Sequence, residues 1–455
     1  MPQASARVKT DMADFRRGAC PTLSVPMPTG DGLLARLRPL DCAITTAELR
    51  AITMAAREFG NGLVEVTARG SLQIRGLKPE TVRPFERAVV ASGIVPASGV
   101  MVEVPPLSGI DPDELVDVRP LAQAIRGAIE AHRPPLVLAP KLAVVVDGGG
   151  RFHLGAVTAD VRLTAIGEDR FLLAVGGTNQ TARSVSVVTS DNAVDGVIRL
   201  LEMIAGIGPG ARGRDVDLTK LGGLYEQAPS EISYDRGAGS FLGIRDLGSI
   251  STTNRNEDYI LGIALPYRQT KSADLIAFLS VLESLGVSEI RLSPNHVFFL
   301  SGLTQSSASQ AEAAARQLGF WTSSAEPRAN ISLCSGTAGC ASAFFDTRAA
   351  AETLLRHAPE LLDGSIAIHL SGCAKGCAHP LAAPLALVGA PSGYGLVVNG
   401  AASASPALYI AAKDLGIALE GLASLVAGAK EAGETARDCL ARLGAATISA
   451  ALQLD

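Results

Sequence analysis

Leu63-Val-Glu-Val-Thr-Ala-Arg-Gly-Ser-Leu-Gln-Ile-Arg75 reads as a strand, a turn and a second strand. The runs alternate apolar and polar side chains, and Gly70 is available for the turn between them. Upstream, residues 33–37 form another apolar run. Thr46 is placed to cap a helix over 47–59, which ends at Gly60. Downstream, residues 81–92 carry helical spacing. The order is β-α-β-β-α, a ferredoxin-like half-domain.

The same pattern returns later in the chain. Residues 33–77 lie over 259–303 without a gap, at a constant offset of 226, so Ala47, Leu49, Ala51, Gly60, Gly76 and Leu77 meet Ala273, Leu275, Ala277, Gly286, Gly302 and Leu303. A second lobe follows each half. In the first, 120–131 and 192–204 read as helices, the latter stopped by Gly206, and 141–146 and 171–175 read as strands. Residues 142–148 lie over 366–372 and residues 171–176 over 395–400, both at an offset of 224. A register shared by both lobes marks an internal duplication. Two such copies create a pseudo-twofold cleft suited to a large flat ligand. The expected divisions are 16–95, 105–215, 240–320 and 325–455, alternating half-domain and α/β lobe.

Only the second copy carries paired cysteines: Cys334-Ser-Gly-Thr-Ala-Gly-Cys340 and, further on, Cys373-Ala-Lys-Gly-Cys377. Soft thiolate ligands select zinc, Cu(I) or iron–sulfur clusters. The five-residue gap of the first pair fits structural zinc poorly, and nothing else in the chain has a secreted character that favours disulfides. The spacing points to an iron–sulfur cluster. Cys20, Cys42 and Cys439 read as ordinary buried thiols.

The bulk composition is that of a folded α/β chain, with 47% hydrophobic residues and 47 glycines. A net charge of -5 without basic runs argues against nucleic acid. No apolar run is long enough to span a bilayer, and the N-terminus lacks a signal-peptide core, so a cytoplasmic location without a membrane partner is expected. Gly206-Ile-Gly208-Pro-Gly210 follows a helix instead of a strand, which fails the context of a dinucleotide loop. Arg16 and Arg17, adjacent and followed by Gly18, are candidates for holding an anionic ligand bidentately.

Taken together, the duplicated half-domains, the α/β lobes and the C-x5-C and C-x3-C pairs resemble the sulfite and nitrite reductases. Within that superfamily, Arg17-Gly-Ala-Cys-Pro21, Met27-Pro-Thr-Gly-Asp-Gly-Leu-Leu34 and Ser371-Gly-Cys-Ala-Lys-Gly-Cys-Ala378 are most similar to the precorrin-3B synthase family. The resemblance implies an α+β, internally duplicated sulfite/nitrite reductase-like fold with two ferredoxin-like halves and two α/β lobes. It implies a [4Fe-4S] cluster on Cys334, Cys340, Cys373 and Cys377, together with a mononuclear non-haem iron. The implied reaction hydroxylates precorrin-3A at C20 with O2 and closes a γ-lactone in aerobic cobalamin biosynthesis. Electrons come from NADH through a separate reductase.

In the reductases, basic side chains grip a polycarboxylated tetrapyrrole. By the same resemblance Arg69 and Lys141 are substrate-binding positions here, and Arg268 is a further carboxylate contact. Two other basic positions of the reductases fall on Ala143 and Val100, and Ser293-Pro-Asn-His296 stands where the family often has Thr-Pro-Trp-Arg. These losses weigh against binding and protonating a small anion. A sirohaem-dependent sulfite or nitrite reductase is the first alternative, and a non-catalytic tetrapyrrole or electron carrier the second. Oxygen activation commonly uses iron held by two histidines and a carboxylate. Of six histidines, His369 and His379 flank the C-x3-C pair and His296 lies near the turn that mirrors Arg69. Lys375, between two cysteines, is placed to tune a cluster's potential. No catalytic residue is assigned from sequence.

Overall fold

The computed structural model describes residues 21–221, 248–251, 259–323, 325–379 and 381–452. Arg16, Arg17 and Cys20 therefore lie outside the described residues. The chain forms two compact units, one of residues 1–27 and 34–323, the other of residues 28–33 and 324–455.

The first unit contains both ferredoxin-like halves, and each half completes its sheet with a strand from the other. One sheet runs in the order Met27–Thr29, Gly32–Leu37, Leu72–Leu77, Leu63–Val66 and then Gln269–Lys271. The second runs Gly248–Ser251, Tyr259–Ala264, Val297–Leu303, Glu289–Ser293 and then Ala43–Thr45. Gln269, Thr270 and Lys271 pair antiparallel with Glu65, Val64 and Leu63. Glu289, Ile290 and Arg291 pair with Thr45, Ile44 and Ala43. Adding 226 to Glu65, Val64 and Leu63 and subtracting it from Gln269, Thr270 and Lys271 turns the first ladder into the second. A sequence reading by hydrophobic runs passes over these two strands, because three residues are too short to show periodicity.

The backbone repeats as closely as the pairing. Asp41 and Cys42 hold φ of 49° and 64°, and Tyr267 and Arg268 hold 51° and 73° at the same two places. Consecutive left-handed residues that are not glycine are costly, and only surrounding structure sustains them. Here they swing the chain out of its own half and into the exchanged strand. The helix Thr46–Phe59 then starts one residue earlier than the sequence predicts. Thr45 is the cap: its Oγ1 accepts from Glu48 N at 3.1 Å, and Glu48 Oε2 accepts from Thr45 N at 2.8 Å. The same Glu48 completes a reciprocal capping box that a cap at Thr46 cannot form. This helix meets its counterpart Ser272–Ser284 through Arg50, which donates from Nε and Nη2 to the two carboxylate oxygens of Glu283, both at 2.8 Å.

The α/β lobe of the first unit has the sheet order Arg183–Thr189, Arg170–Gly177, Ala159–Gly167, Ala143–Asp147, Met101–Glu103. The second unit repeats it as Leu408–Ile410, Gly393–Gly400, Ala383–Ala390, Ile368–Ser371, Ile331–Leu333. Val144 pairs with Val161 as Ile368 pairs with Leu385, which keeps the offset of 224. Beyond the hairpin the register slips. Arg162 faces Ala174, but its counterpart Ala386 faces Val397, so the strands Arg170–Gly177 and Gly393–Gly400 are offset by 223 and not by the 224 expected for residues 171–176. A bulge between Ala165 and Gly167 absorbs the extra residue of the first copy. The helix predicted to stop at Gly206 continues as Ser190–Ile207 and ends at Gly208, whose φ of 148° no other residue type adopts readily.

The loop ahead of each lobe's first helix is also duplicated, at an offset of 229. Leu115 N donates to Gly148 O and Phe344 N to Gly372 O; Glu114 N donates to Asp111 O and Ala343 N to Cys340 O. By this correspondence Asp111 stands where the second copy has Cys340, Glu114 stands for Ala343, and Gly149 for Cys373. Carboxyls occupy the first lobe's version of the cysteine site. Glu114 accepts from Ser108 Oγ at 2.5 Å and Gly109 N at 2.6 Å, and Asp111 accepts from Phe152 N at 2.9 Å. Glycines 148 and 150 make room for them: a Cβ there would lie 2.3 Å from Glu114 and 2.4 Å from Asp111.

Burial pushes the Glu114 carboxyl up to about 7 against those hydrogen bonds, and burial raises Asp111 as well. A folded value above the unfolded one means that the native state binds more protons between pH 4.5 and 7, so this contribution to stability is full at acid pH and lost as pH rises through 7. Thermal unfolding across pH 5 to 8 should show the wild-type midpoint falling along this limb. The Glu114→Gln variant should show a flatter profile, and an identical slope in the two proteins would remove Glu114 from the titration.

Candidate functional site

In the second unit the four paired cysteines come from two loops. Cys334 follows the strand Ile331–Leu333, and Cys340 closes the short helix Gly336–Gly339. Cys373 and Cys377 lie in the loop that leaves Ile368–Ser371. The loops are laced together: Gly372 N donates to Cys334 Sγ at 3.1 Å, Phe344 N donates to Gly372 O at 2.8 Å, and Lys375 Nζ donates to Ser342 Oγ at 3.0 Å. Gly372 has no room for a side chain, since a Cβ would sit 2.6 Å from that of Ala343 and 3.4 Å from Cys334 Sγ. Gly376, at φ 63°, turns the chain between the second pair.

The other three thiols all lie within electrostatic reach of Cys377. Burial first, then the charges of Cys373, Cys334 and Cys340, push the Cys377 thiol up, while Lys375 opposes them. Yet among the described residues no three His, Cys, Asp or Glu side chains are set to hold a single metal ion. Thiols on one zinc converge within about 2.3 Å of it. Four thiols drawn from two facing loops are the donor type and number that hold an iron–sulfur cluster. An amide already donating to Cys334 Sγ fits the same group, because N–H donors to cluster sulfurs tune its potential. The donor set fits a cluster.

The same observation bears on a second, mononuclear iron. His369 and His379 do meet, with ring centroids 5.7 Å apart. Among the described residues no three His, Cys, Asp or Glu form a metal-holding group, so these two histidines do not by themselves make up the two-histidine, one-carboxylate set.

The predicted substrate residues lie in the first unit. Arg69 rides the tight turn of residues 67–71, where Gly70 N donates to Thr67 O at 2.9 Å. Its guanidinium donates to Glu103 Oε2 and to Thr158 O, both at 2.8 Å, and remains 38% exposed. Glu103 is deeply buried and is also held by Arg38 at 2.6 Å. Arg69 is thus aimed by Glu103 with donors to spare, since a guanidinium carries five.

Arg268 is half-buried on the left-handed turn before Gln269–Lys271 and acts on His296. His296 is partly buried, and its Nδ1 hydrogen bonds to Val66 O. Desolvation, reinforced by Arg268, pushes the imidazole down to about 3. With Nδ1–H donating to a carbonyl, Nε2 is left as an acceptor. Residue 296 repeats Gly70, and both hold a left-handed φ, 70° and 72°. The turns of Arg69 and His296 therefore meet at the pseudo-twofold: a Cβ on Gly70 would lie 3.0 Å from Leu292 O. Lys141 is exposed in the turn before Ala143–Asp147, where its carbonyl accepts from Arg212 Nη2 at 3.2 Å.

Sequence reading missed a polar row across the first sheet. Arg36 donates to Gln73 at 2.8 Å, Gln73 donates to Glu65, and Arg75 and Gln269 approach Glu65 at 3.9 Å and 3.5 Å. Glu65, Gln73, Arg75 and Gln269 are each buried to within 9% exposure. On strands whose other face packs against helices, such a row is costly unless it is paired or meets a charged ligand. The signal was the alternation in Leu72-Gln73-Ile74-Arg75.

The family model of the nitrite/sulfite reductase ferredoxin-like half domain matches residues 25–92. A precorrin-3B synthase from a Sinorhizobium species is 46% identical over 446 residues, covering 97% of this chain and 96% of that protein. The ferredoxin–nitrite reductase of Synechococcus elongatus is 24% identical over 398 residues, covering 78% of this chain and 76% of its own. Among solved structures, the NirA protein of Mycobacterium tuberculosis superposes with a TM-score of 0.66 at 17% identity, covering 91% of this chain and 84% of that one. This last likeness establishes the shared fold.

A histidine whose folded value lies near 3 must stay neutral in the native state. The unfolded chain then binds more protons between that value and 6.5, so stability from His296 is present at neutral pH and lost on acidification through this window. In a spectrum of histidine-labelled protein, the His296 ring should keep its neutral chemical shifts down to pH 4. Titration near 6.5 would show that the ring is open to water.

Proposed function

The chain belongs to the precorrin-3B synthase family, and from that premise we propose that it is an iron–sulfur monooxygenase acting on precorrin-3A. The reaction places one atom of O2 on C20 of the macrocycle and sends the other to water, using the electron pair of NADH. Closure of a γ-lactone from a ring-A acetate follows. The electrons arrive through a separate reductase, and the product belongs to aerobic cobalamin biosynthesis. The observation that carries the proposal is the gathering of Cys334, Cys340, Cys373 and Cys377 in one cluster-like site, in a chain similar over nearly its full length to a precorrin-3B synthase.

The cluster, when bound, supplies single-electron storage and transfer. The chain's own residues have other tasks. Cys334, Cys340, Cys373 and Cys377 hold the cluster, and the Gly372 amide biases it through Cys334. Arg69 takes a substrate carboxylate through the donors that Glu103 and Thr158 leave open. Arg268 takes another, beside a neutral His296 whose Nε2 is able to accept but not to donate. Lys141 is a further cation for the periphery of the macrocycle, and Arg16 and Arg17 add two more. Charge-assisted bonds of this kind are the strong ones for a polycarboxylate. A neutral imidazole and the absence of basic side chains at Ala143 and Val100 disfavour sulfite or nitrite, whose reduction needs dense positive charge and ready protons. Among the described residues no helix is long and apolar enough to cross a membrane. We propose a cytoplasmic location.

Anaerobically purified protein should show a broad visible shoulder from the cluster, without the sharp bands of sirohaem. Sharp Soret and α bands would transfer the protein to the reductase reading. Cys373→Ser should lose bound iron, sulfide and turnover together, and a full iron–sulfide complement in that variant would overturn the ligand assignment. Arg69→Ala should weaken precorrin-3A binding by about tenfold, the worth of one exposed charge-assisted bond, with iron content unchanged. Equal affinity in variant and wild type would take Arg69 out of the site.

A further inference from the structure

Met27-Pro-Thr-Gly-Asp-Gly-Leu-Leu34 forms a tight hairpin between the strands Met27–Thr29 and Gly32–Leu37. Its tip has a fixed shape. Thr29 Oγ1 hydrogen bonds to Asp31 Oδ1 and to Gly32 O, both at 2.8 Å, and Gly32 takes a φ of 125° that demands glycine. Gly30 is a different case, because its φ lies outside the left-handed range and the backbone itself would accept any residue there. Space is what forbids a side chain. A Cβ on Gly30 would fall 2.1 Å from Ala341 N, 2.6 Å from Cys340 Cα and 2.7 Å from Cys340 C. The tip is therefore pressed onto the peptide bond that leaves Cys340.

Residues 28–33 pack with residues 324–455 and form part of their compact unit, although the strand that continues from them belongs to the first sheet. On its other side, Cys340 is tied by its own carbonyl, which accepts from Ala343 N at 3.0 Å. The backbone of Cys340 is thus held between the 343 turn and the Gly30 tip. Cys340 follows a four-residue helix, and the direction of its Cα–Cβ bond follows from the backbone that the tip abuts.

We infer that the hairpin tip at Gly30 is a positioning element for the cluster, fixing the Cys340 thiolate through backbone contact. The inference rests on the proposed cluster site and extends it to a segment more than three hundred residues away in sequence. Gly30 touches neither substrate nor reacting atoms; it acts through Cys340.

The experiment uses the full chain with Gly30→Ala, Thr29→Val and Thr29→Ser, and with Gly127→Ala as control, since Gly127 sits in a helix with no atom within 4 Å of an added Cβ. In apo-protein, the rate of iodoacetamide labelling at Cys340 is read against that at Cys334 by mass spectrometry. In reconstituted protein, the midpoint potential and EPR spectrum of the reduced cluster are measured beside far-ultraviolet circular dichroism. Gly30→Ala should keep the native dichroism, raise the Cys340-to-Cys334 labelling ratio severalfold and shift the EPR spectrum. Thr29→Val, which adds no bulk at the contact, should move both in the same direction, and Thr29→Ser should restore them. Should Gly30→Ala fail to fold, the Thr29 pair carries the test. Labelling ratio and EPR spectrum unchanged from wild type in the folded variants would overturn the role of Gly30. A wild-type chain that takes up no iron and sulfide would overturn the cluster reading, and the labelling ratio in apo-protein would still decide the role of the tip.

Discussion

Two short strands exchanged between the ferredoxin-like halves are the constraint on which the first unit depends. Each is three residues long, and each is launched by a pair of consecutive left-handed residues, Asp41-Cys42 in one copy and Tyr267-Arg268 in the other. Neither strand has the length to stand alone. The exchange makes the sheets mutually dependent, and the halves cannot drift without breaking both. It also sets the site, because the turn that swings the second copy out carries Arg268, and the symmetry brings the turns of Arg69 and His296 together. The way the sheets close thus brings residues from distant parts of the chain together.

Duplication supplied two copies of everything, and function follows from where they parted. The lobes share a strand order, a parallel ladder and the same loop hydrogen bonds. The second copy places thiols in that loop frame. The first places Asp111 and Glu114 there, with glycines cleared around them. The buried carboxyls are hydrogen bonded, as such groups must be to be tolerated. Burial raises their proton affinity. The halves parted in a comparable way at one residue, where Gly70 of the first copy is His296 in the second.

Much of this was legible along the chain. The 226-residue repeat, the helices, the long strands and both cysteine pairs follow from spacing, because helical and strand periods and ligand intervals are local quantities. Arg69 and Lys141 were legible only through resemblance, and the structure separates them: Arg69 is aimed by a buried carboxylate, and Lys141 stands exposed in a turn. The cap at Thr45 instead of Thr46 was missed because the choice depends on which hydroxyl faces the Glu48 amide. The polar row of Arg36, Glu65, Gln73, Arg75 and Gln269 was missed for a stronger reason. Its members come from four strands, one of them borrowed, and no window of sequence holds them together.

By itself, then, the sequence determined the kind of chemistry and the kind of fold: four thiols at cluster spacing, and two copies of one pattern. These are set by residue type and by intervals within tens of residues. Only the tertiary structure decided that each half finishes the other's sheet, that His296 is neutral beside Arg268, and that a glycine at position 30 bears on the backbone of Cys340. Pairing across 226 residues, desolvation and steric contact depend on what the fold brings within a few ångströms, and separation along the chain carries no record of that distance.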